Sequence, residues 1–386
     1  MLRVLSVQVT GRQSTIWGWA GSPTDEDEGT DVRRLAGACE MALAESEEMA
    51  RGSTPHWEAA DDMLVGLSAR ELRGWAWPVA VRRTRPERPI DERELSALLA
   101  RALRLTSNRL AQTDASEWLL VDAAPVTLEV DGHGVTDPVG FRGQEMGATV
   151  FAALARAETI EMWRHVAEKL GFSTLTLTVA PLALSGQLTE PQGIVLDVGG
   201  ATTDLIWWRA SKPVALNSLP VAGTAFTGSL VRKWGLSHDK AENLKIALAS
   251  GQLADEVASQ VLEAMRPTLT AWLDRVTGAL SAMSESAEQP LPHHVYLLGG
   301  GGLLPGITEA ARSLAWSPRL RFERYPQMDW LRASDLPGVV NHTDLGRKAG
   351  DVSALALAGW AVGQLRPPAR PERILHGLCQ RAGAGG

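Results

Sequence analysis

One stretch, residues 193–208, constrains this chain more than any other part of its sequence. Two apolar runs are joined there by a turn rich in glycine and threonine, and the carboxylate of Asp197 closes the first run. An ordinary hairpin is the alternative, but a generic turn does not need an acid at the end of so apolar a strand. An acid, flexible glycines and hydroxyl groups at one sheet edge suit a phosphate and Mg²⁺. Asp197 is the predicted metal ligand. The predicted phosphate-binding residues are Asp197, Gly199, Gly200, Thr202 and Thr203.

A second glycine-rich turn follows the apolar run 295–298. Its four glycines, 299–302, precede an apolar segment from Pro305 with the pattern of a helix. A strand, a glycine turn and a helix N-terminus in this order let a ligand approach bare backbone. A flexible linker is the alternative, but linkers do not join a buried strand to an apolar helix. We predict that the same ligand site includes Gly299, Gly300 and Gly301.

Composition limits the class of protein. The 386 residues are 45% hydrophobic and 22% charged, and a globular chain of this size has roughly two to three domains. A formal net charge of -7 argues against a nucleic-acid partner. Only two cysteines, Cys39 and Cys379, are present, which excludes a disulfide framework and favours a reducing cytoplasm. We expect neither a signal peptide nor a membrane-spanning segment.

The rest of the sequence predicts alternating strands and helices. A hairpin is predicted over residues 1–20, an acidic loop at 25–28 and a helix over 31–49. A helix followed by strands at 118–122 and 126–130 has the size of a compact inserted subdomain. The last predicted helix, 351–365, is followed by a proline-broken linker, so residues 366–386 are predicted to be a flexible tail.

The two glycine turns resemble the second phosphate motif and the adenosine motif of the actin-like ATPases. Within that superfamily, residues 130–143 resemble the end of the inserted subdomain of the FtsA cell-division proteins, and the PilM pilus proteins are next in similarity. Gly223, Thr227, Glu242 and Lys245 also match in order and spacing. The resemblance implies a two-lobed, ribonuclease-H-like α/β fold that binds ATP and Mg²⁺ in its cleft. It adds Gly223, Glu242 and Lys245 to the nucleotide-binding residues.

The resemblance also implies a division into domains. The first actin-like lobe takes residues 1–80, 151–190 and 351–365. The inserted FtsA-like subdomain takes 81–150, and the second lobe takes 191–350, with a mainly helical part over 224–290.

The first hairpin departs from the superfamily pattern. Gln8 stands where the first phosphate motif normally carries an aspartate, and no acidic residue occurs before Asp25. A neutral amide lacks the charge that holds Mg²⁺ or orients a nucleophile. We therefore expect at most slow ATPase activity.

The tail leaves two interpretations open. Residues 373–381 are apolar and basic, like the membrane-binding helix of FtsA proteins. The segment is short and contains Gly377, so a disordered tail is the other interpretation.

The resemblance implies an FtsA-like protein that polymerises into filaments and links the division machinery to the membrane. The expected location is the cytoplasm, at the inner face of the cell membrane if the tail binds lipid. A PilM-like adaptor of a pilus or secretion platform and a pseudo-ATPase scaffold are the alternatives. A small-molecule kinase would need a catalytic aspartate that the first hairpin lacks.

Overall fold

The computed structural model describes residues 2–22, 32–67, 72–111, 118–185, 187–188, 190–210, 212–312, 320–364 and 367–383. The predicted acidic loop at 25–28 lies outside these residues. The strands are, in chain order, β1 (Leu2–Thr10), β2 (Gln13–Ser22), β3 (Asp62–Leu67), β4 (Arg73–Arg82), β5 (Trp118–Val130), β6 (His133–Gly134), β7 (Glu145–Arg156), β8 (Thr174–Val179), β9 (Gln192–Val198), β10 (Thr203–Arg209), β11 (Lys212–Leu219), β12 (His294–Leu298), β13 (Gln327–Trp330) and β14 (Val339–Asn341).

The helices alternate with these strands, as the sequence periodicity predicts. They are, in chain order, α1 (Val32–Ser53), α2 (Glu92–Ala111), α3 (Ala157–Leu170), α4 (Ala180–Ser185), α5 (Gly223–Trp234), α6 (His238–Ala249), α7 (Asp255–Ala287), α8 (Pro305–Arg312), α9 (Val352–Gln364) and α10 (Arg370–Gly383). Short 3-10 helices occur at Gly301–Leu303, Ala333–Asp335 and Ala349–Asp351. No helix in the described ranges is long and apolar enough to cross a membrane.

The second lobe is built on five strands in the order β13-β12-β9-β10-β11. Strands β9 and β10 are covered on both faces, which explains why their sequences are apolar almost throughout. On one face, α5 and α7 bury Phe226 and Trp272 against the sheet. On the other face, Ile206 and Trp208 pack with Leu355 of α9. The sheet therefore separates the core of the second lobe from a core shared with the first lobe.

The first lobe contains two small sheets, the three-stranded β1-β2-β14 and the parallel pair β3-β8. The hairpin predicted for the start of the chain is confirmed, with Gly11 in the left-handed region at φ 62°. Helix α1 lies so close to β2 that a β-carbon at Gly18 would be 1.9 Å from the carbonyl oxygen of Ser46. Helix α9 packs against β1, β2 and α4. Strand β14, predicted to belong to the second lobe, lies with the first.

The inserted subdomain is larger than the predicted 81–150. Strand β4 pairs along its whole length with β7, and β7 pairs with β5, so the subdomain sheet extends from Arg73 to Arg156. The two strands predicted at 118–122 and 126–130 form the single strand β5, whose register shifts between Leu120 and Asp122 and again after Pro125. Residues 73–75 of β4 also pair with β11, which joins the subdomain and the second lobe in one nine-stranded sheet.

The flexible tail predicted for residues 366–386 is wrong for residues 370–383, which form α10. This helix packs against β5 and α2 of the inserted subdomain, and Leu375 is fully buried there. Ion pairs at the margin join Arg370 to Asp137 at 2.8 Å and Glu372 to Lys212 at 4.0 Å. The tail prediction failed because the apolar partner of the helix lies far away in the sequence. The apolar residues that suggested a membrane-binding helix therefore pack against the inserted subdomain.

Candidate functional site

The two glycine turns lie side by side at one edge of the second-lobe sheet. Strands β9 and β12 run parallel, and Leu298 pairs with Asp197, so both strands end at the same edge. Gly299 has φ +83°, and a β-carbon there would be 2.4 Å from the carbonyl oxygen of Val198 and 2.5 Å from Oδ1 of Asp197. A β-carbon at Gly301 would be 2.7 Å from a Val198 methyl group. Glycine is therefore required for the two turns to touch, and the structure brings the two predicted motifs together.

Helix α5 holds the first glycine turn from beneath. The backbone N–H of Gly223 donates to the carbonyl oxygen of Gly199 at 3.1 Å, and that of Thr224 donates to Gly200 at 2.7 Å. The first N–H groups of a helix have no partner within it, so these bonds satisfy them. Gly223 was predicted to bind a nucleotide, and the structure places it directly under the turn.

Lys245 and Glu242 of α6 lie beside Gly223. The Lys245 ammonium donates to the carbonyl oxygen of Gly223 at 3.1 Å, to the Thr227 hydroxyl at 2.9 Å and to Glu242 at 2.7 Å. Burial raises the pKa of Glu242, but hydrogen bonds from Lys245 and Thr227 outweigh it, so the pKa lies below its ordinary value. The predicted pair is thus brought to the site, where it fixes the start of α5.

The two threonines of the first turn lie in the protein interior. Thr203 is fully buried, and its hydroxyl donates to the carbonyl oxygen of Val221 at 2.7 Å and accepts from the indole N–H of Trp272 at 2.9 Å. The Thr203 hydroxyl donates its only proton within the protein, so it has no proton to donate to a phosphate. Thr202 is also buried, at 5% exposure. The Thr203 hydroxyl therefore stabilises the hairpin, and any other contact of the two threonines with a ligand stays a prediction.

Gly200 and Gly300 form the open side of the site. Each is exposed, and neither has an atom within 4 Å of the position that a β-carbon would take. In the described part of the chain, no group accepts a hydrogen bond from the backbone N–H of either residue. Free amides on two loops that touch each other are an arrangement that suits a phosphate group.

Asp197 faces the first lobe. Its Oδ2 accepts a hydrogen bond of 2.6 Å from the hydroxyl of Ser353, in the first turn of α9. Burial raises the pKa of Asp197, while the bond from Ser353 and the positive charge of Arg3 act in the opposite direction. Arg3 itself forms an ion pair of 3.0 Å with Asp351. The neighbours of Asp197 from the first lobe are therefore a hydroxyl and a cation.

Gln8 does not lie in this cluster. Its side chain is exposed on β1, and its amide oxygen accepts a hydrogen bond from the indole N–H of Trp17 at 3.1 Å. Arg3, at the other end of β1, is the residue of the hairpin whose charge reaches Asp197. The superfamily pattern drew attention to Gln8 and not to Arg3. A single charged residue in an otherwise apolar strand could have identified Arg3 from the sequence. The sequence around Ser353 and Asp351 does not indicate their roles, because their partners Asp197 and Arg3 are distant in the sequence.

Asp197 is the predicted metal ligand. Mg²⁺ that binds with a nucleotide takes most of its ligands from phosphate and water, and one or two carboxylates complete the set. No group of three or more His, Cys, Asp or Glu residues in the described ranges could hold a metal ion without such a ligand. The Oδ2 atom of Asp197 is already bonded to Ser353, and the role of Asp197 as a metal ligand stays a prediction.

Comparisons with known proteins agree with this geometry. A family model described as "Cell division protein FtsA" matches residues 194–335, a range that holds both glycine turns. The FtsA protein of Neisseria meningitidis is 26% identical over 208 residues, which cover 47% of this chain and 49% of that protein. The chain resembles FtsA.

One further FtsA relative matches a larger part of this chain. The FtsA protein of Streptococcus pneumoniae is 22% identical over 306 residues, or 74% of this chain and 64% of that protein. That of Escherichia coli K12 is 25% identical over 209 residues, covering 47% of this chain and 50% of the protein. The chain thus spans about half the length of the first FtsA relatives that it matches.

A solved structure shows the fold of nearly the whole chain. The PilM-PilN type IV pilus biogenesis complex contains a chain that superposes with a TM-score of 0.65 at 21% identity, covering 95% of this chain and 96% of that chain. The predicted fold, two actin-like lobes of mixed α/β structure, is confirmed. The predicted resemblance to FtsA, with PilM next, is confirmed as well.

Proposed function

We propose that this chain binds ATP between its two lobes and acts as an FtsA-like adaptor in cell division. The observation that supports ATP binding is the contact between the two glycine turns, which leaves the amides of Gly200 and Gly300 open, with the Glu242–Lys245 pair beside Gly223. The match of residues 194–335 to the FtsA family supports the division role. Polymerisation into filaments and a link to the membrane are parts of this proposal.

The nucleotide would govern assembly, with at most slow hydrolysis. An actin-type hydrolase needs an acid in the first lobe to orient water, whereas Gln8 is neutral and bonded to Trp17. Open-ended filaments arise from head-to-tail interfaces that do not close into a ring, and nucleotide binding between lobes can set the lobe angle on which such interfaces depend.

A second candidate is a PilM-like adaptor of a pilus or secretion platform. Its support is the superposition on a chain of the PilM-PilN complex over 95% of this chain. This function would use the same nucleotide site but would bind a short peptide of a membrane partner. It would not require filaments.

Calorimetry with ATP and ADP tests the nucleotide site, and Gly200→Val is the matched variant because its β-carbon would project into the open side of the site. We expect binding by the wild type, and a loss of affinity of at least about tenfold in Gly200→Val with unchanged thermal stability.

Sedimentation with ATP and anionic vesicles then distinguishes the two candidate functions. ATP-dependent pelleting supports the FtsA-like role, and a monomer that binds a pilus peptide supports the PilM-like role. A wild type that binds no nucleotide contradicts the ATP site.

A further inference from the structure

Arg3 is held at the phosphate end of the site by a fully bonded carboxylate. Its Nε donates to Oδ1 of Asp351 at 3.0 Å. The other oxygen of Asp351 accepts from the backbone N–H groups of Gly346 at 3.1 Å and Lys348 at 3.2 Å. Asp351 is only 3% exposed. Because every part of this carboxylate is engaged, it orients the guanidinium.

The remaining donors of Arg3 are unused. In the part of the chain that the structure describes, its two Nη groups donate to no other group, and its side chain is 22% exposed. A guanidinium has five N–H donors in a fixed fork that matches phosphate oxygens. Arg3 thus keeps four N–H donors that the described fold does not use, while its charge is paired with that of Asp351.

These donors lie next to the glycine turn. A β-carbon at Gly350 would be 2.8 Å from Nη2 of Arg3 and 3.9 Å from the backbone nitrogen of Gly300. The guanidinium and the open amide of Gly300 are therefore close enough to contact one phosphate group.

We propose that Arg3 donates to a phosphate group of the bound nucleotide, beside the open amide of Gly300. The proposal rests on the nucleotide binding proposed above. Hydrogen bonds from a guanidinium to phosphate oxygens are charge-assisted and stronger than those from neutral donors.

Calorimetric titration with ATP, in Mg²⁺ and separately in EDTA, tests the proposal. The proteins are the wild type, Arg3→Ala, Arg3→Lys and the control Arg12→Ala, an exposed arginine at the other end of the same hairpin. Loss of a charge-assisted contact should weaken binding by Arg3→Ala at least about tenfold in the buffer in which the wild type binds ATP more tightly. Arg3→Lys should retain part of the affinity, and Arg12→Ala all of it.

The outcomes distinguish this proposal from the proposed function. An Arg3→Ala protein that binds ATP like the wild type in that buffer overturns the role of Arg3 alone. A wild type that binds ATP in neither buffer overturns both proposals. Thermal melting checks the fold of each variant. If Arg3→Ala does not fold, Arg3→Gln replaces it, because glutamine keeps a hydrogen bond to Asp351 and loses the charge.

Discussion

The glycine turns of the second lobe and the two ends of the chain differ in what determines their structure. In the second lobe, the contacts that shape the site join residues of two short motifs on parallel neighbouring strands. At the ends, Arg3 depends on Asp351, and Leu375 depends on a subdomain far away in the sequence. Each nucleotide-facing loop therefore carries its own local sequence motif, whereas no local motif indicates the partners of Arg3 and Leu375.

The largest effect is expected at the C-terminal helix α10. Leu375→Ala removes a fully buried side chain from the contact between α10 and the inserted subdomain. We expect this contact to lose about 2–5 kcal/mol. Limited proteolysis should then cleave within residues 367–383 much faster than in the wild type. The control is Arg373→Ala, an exposed position on the same helix. Equal cleavage rates in wild type and Leu375→Ala would mean that α10 is not docked in solution.

The next effect is expected at the contact between the two glycine turns. Gly299→Ala adds a β-carbon 2.4 Å from the carbonyl oxygen of Val198 at a backbone φ of +83°. Strain and overpacking together should lower the free energy of unfolding by about 2–4 kcal/mol. Chemical denaturation measures this change. Gly200→Ala, whose β-carbon meets no atom within 4 Å, is the matched control and should be nearly neutral. Similar stability losses in both variants would contradict the turn-to-turn contact.

A smaller effect is expected beneath the first turn. Thr203→Val keeps the shape of the side chain but leaves the indole N–H of Trp272 and the carbonyl oxygen of Val221 without partners. The cost should be about 1–3 kcal/mol in chemical denaturation. A Thr203→Ser protein retains both bonds and should lie closer to the wild type. If Thr203→Val were as stable as the wild type but lost nucleotide binding, the hydroxyl would belong to the ligand site after all.

These contacts show how much of the fold and of the candidate site the sequence predicts. The β9–β10 hairpin, the glycine run and the Glu242–Lys245 pair were predictable, because apolar strands closed by an acid or by glycine leave a local pattern. The roles of Arg3 and Ser353 were not, since nothing near either residue indicates its partner. Helix α10 was mistaken for a tail because Pro367, Pro368 and Pro371 mark a break while the surface that orders the helix is distant. The internal bonds of the Thr203 hydroxyl were not predictable either, because its spacing in the motif does not show which way the hydroxyl points.

The smallest expected effect is a pH dependence at the Glu242–Lys245 pair. The folded-state pKa of Glu242 lies below the ordinary value of 4.5, so the stabilisation is complete above that value. It is lost as the pH falls through the folded-state pKa. Glu242→Gln should therefore lose less stability than the wild type as the pH falls from about 5 downwards. Denaturation midpoints across this range measure the difference. Parallel curves for the two proteins would show that Glu242 is not held as a carboxylate by Lys245.

Hydrogen–deuterium exchange with and without ATP tests most directly whether the two glycine turns form one nucleotide site. The amides of residues 199–202 and 299–302 are the ones to follow, with residues 10–13 of the exposed hairpin turn as an internal control. The structure predicts that ATP slows exchange in both glycine turns together and leaves the hairpin turn unchanged. Protection of only one glycine turn, or of neither while ATP binds, would contradict the account.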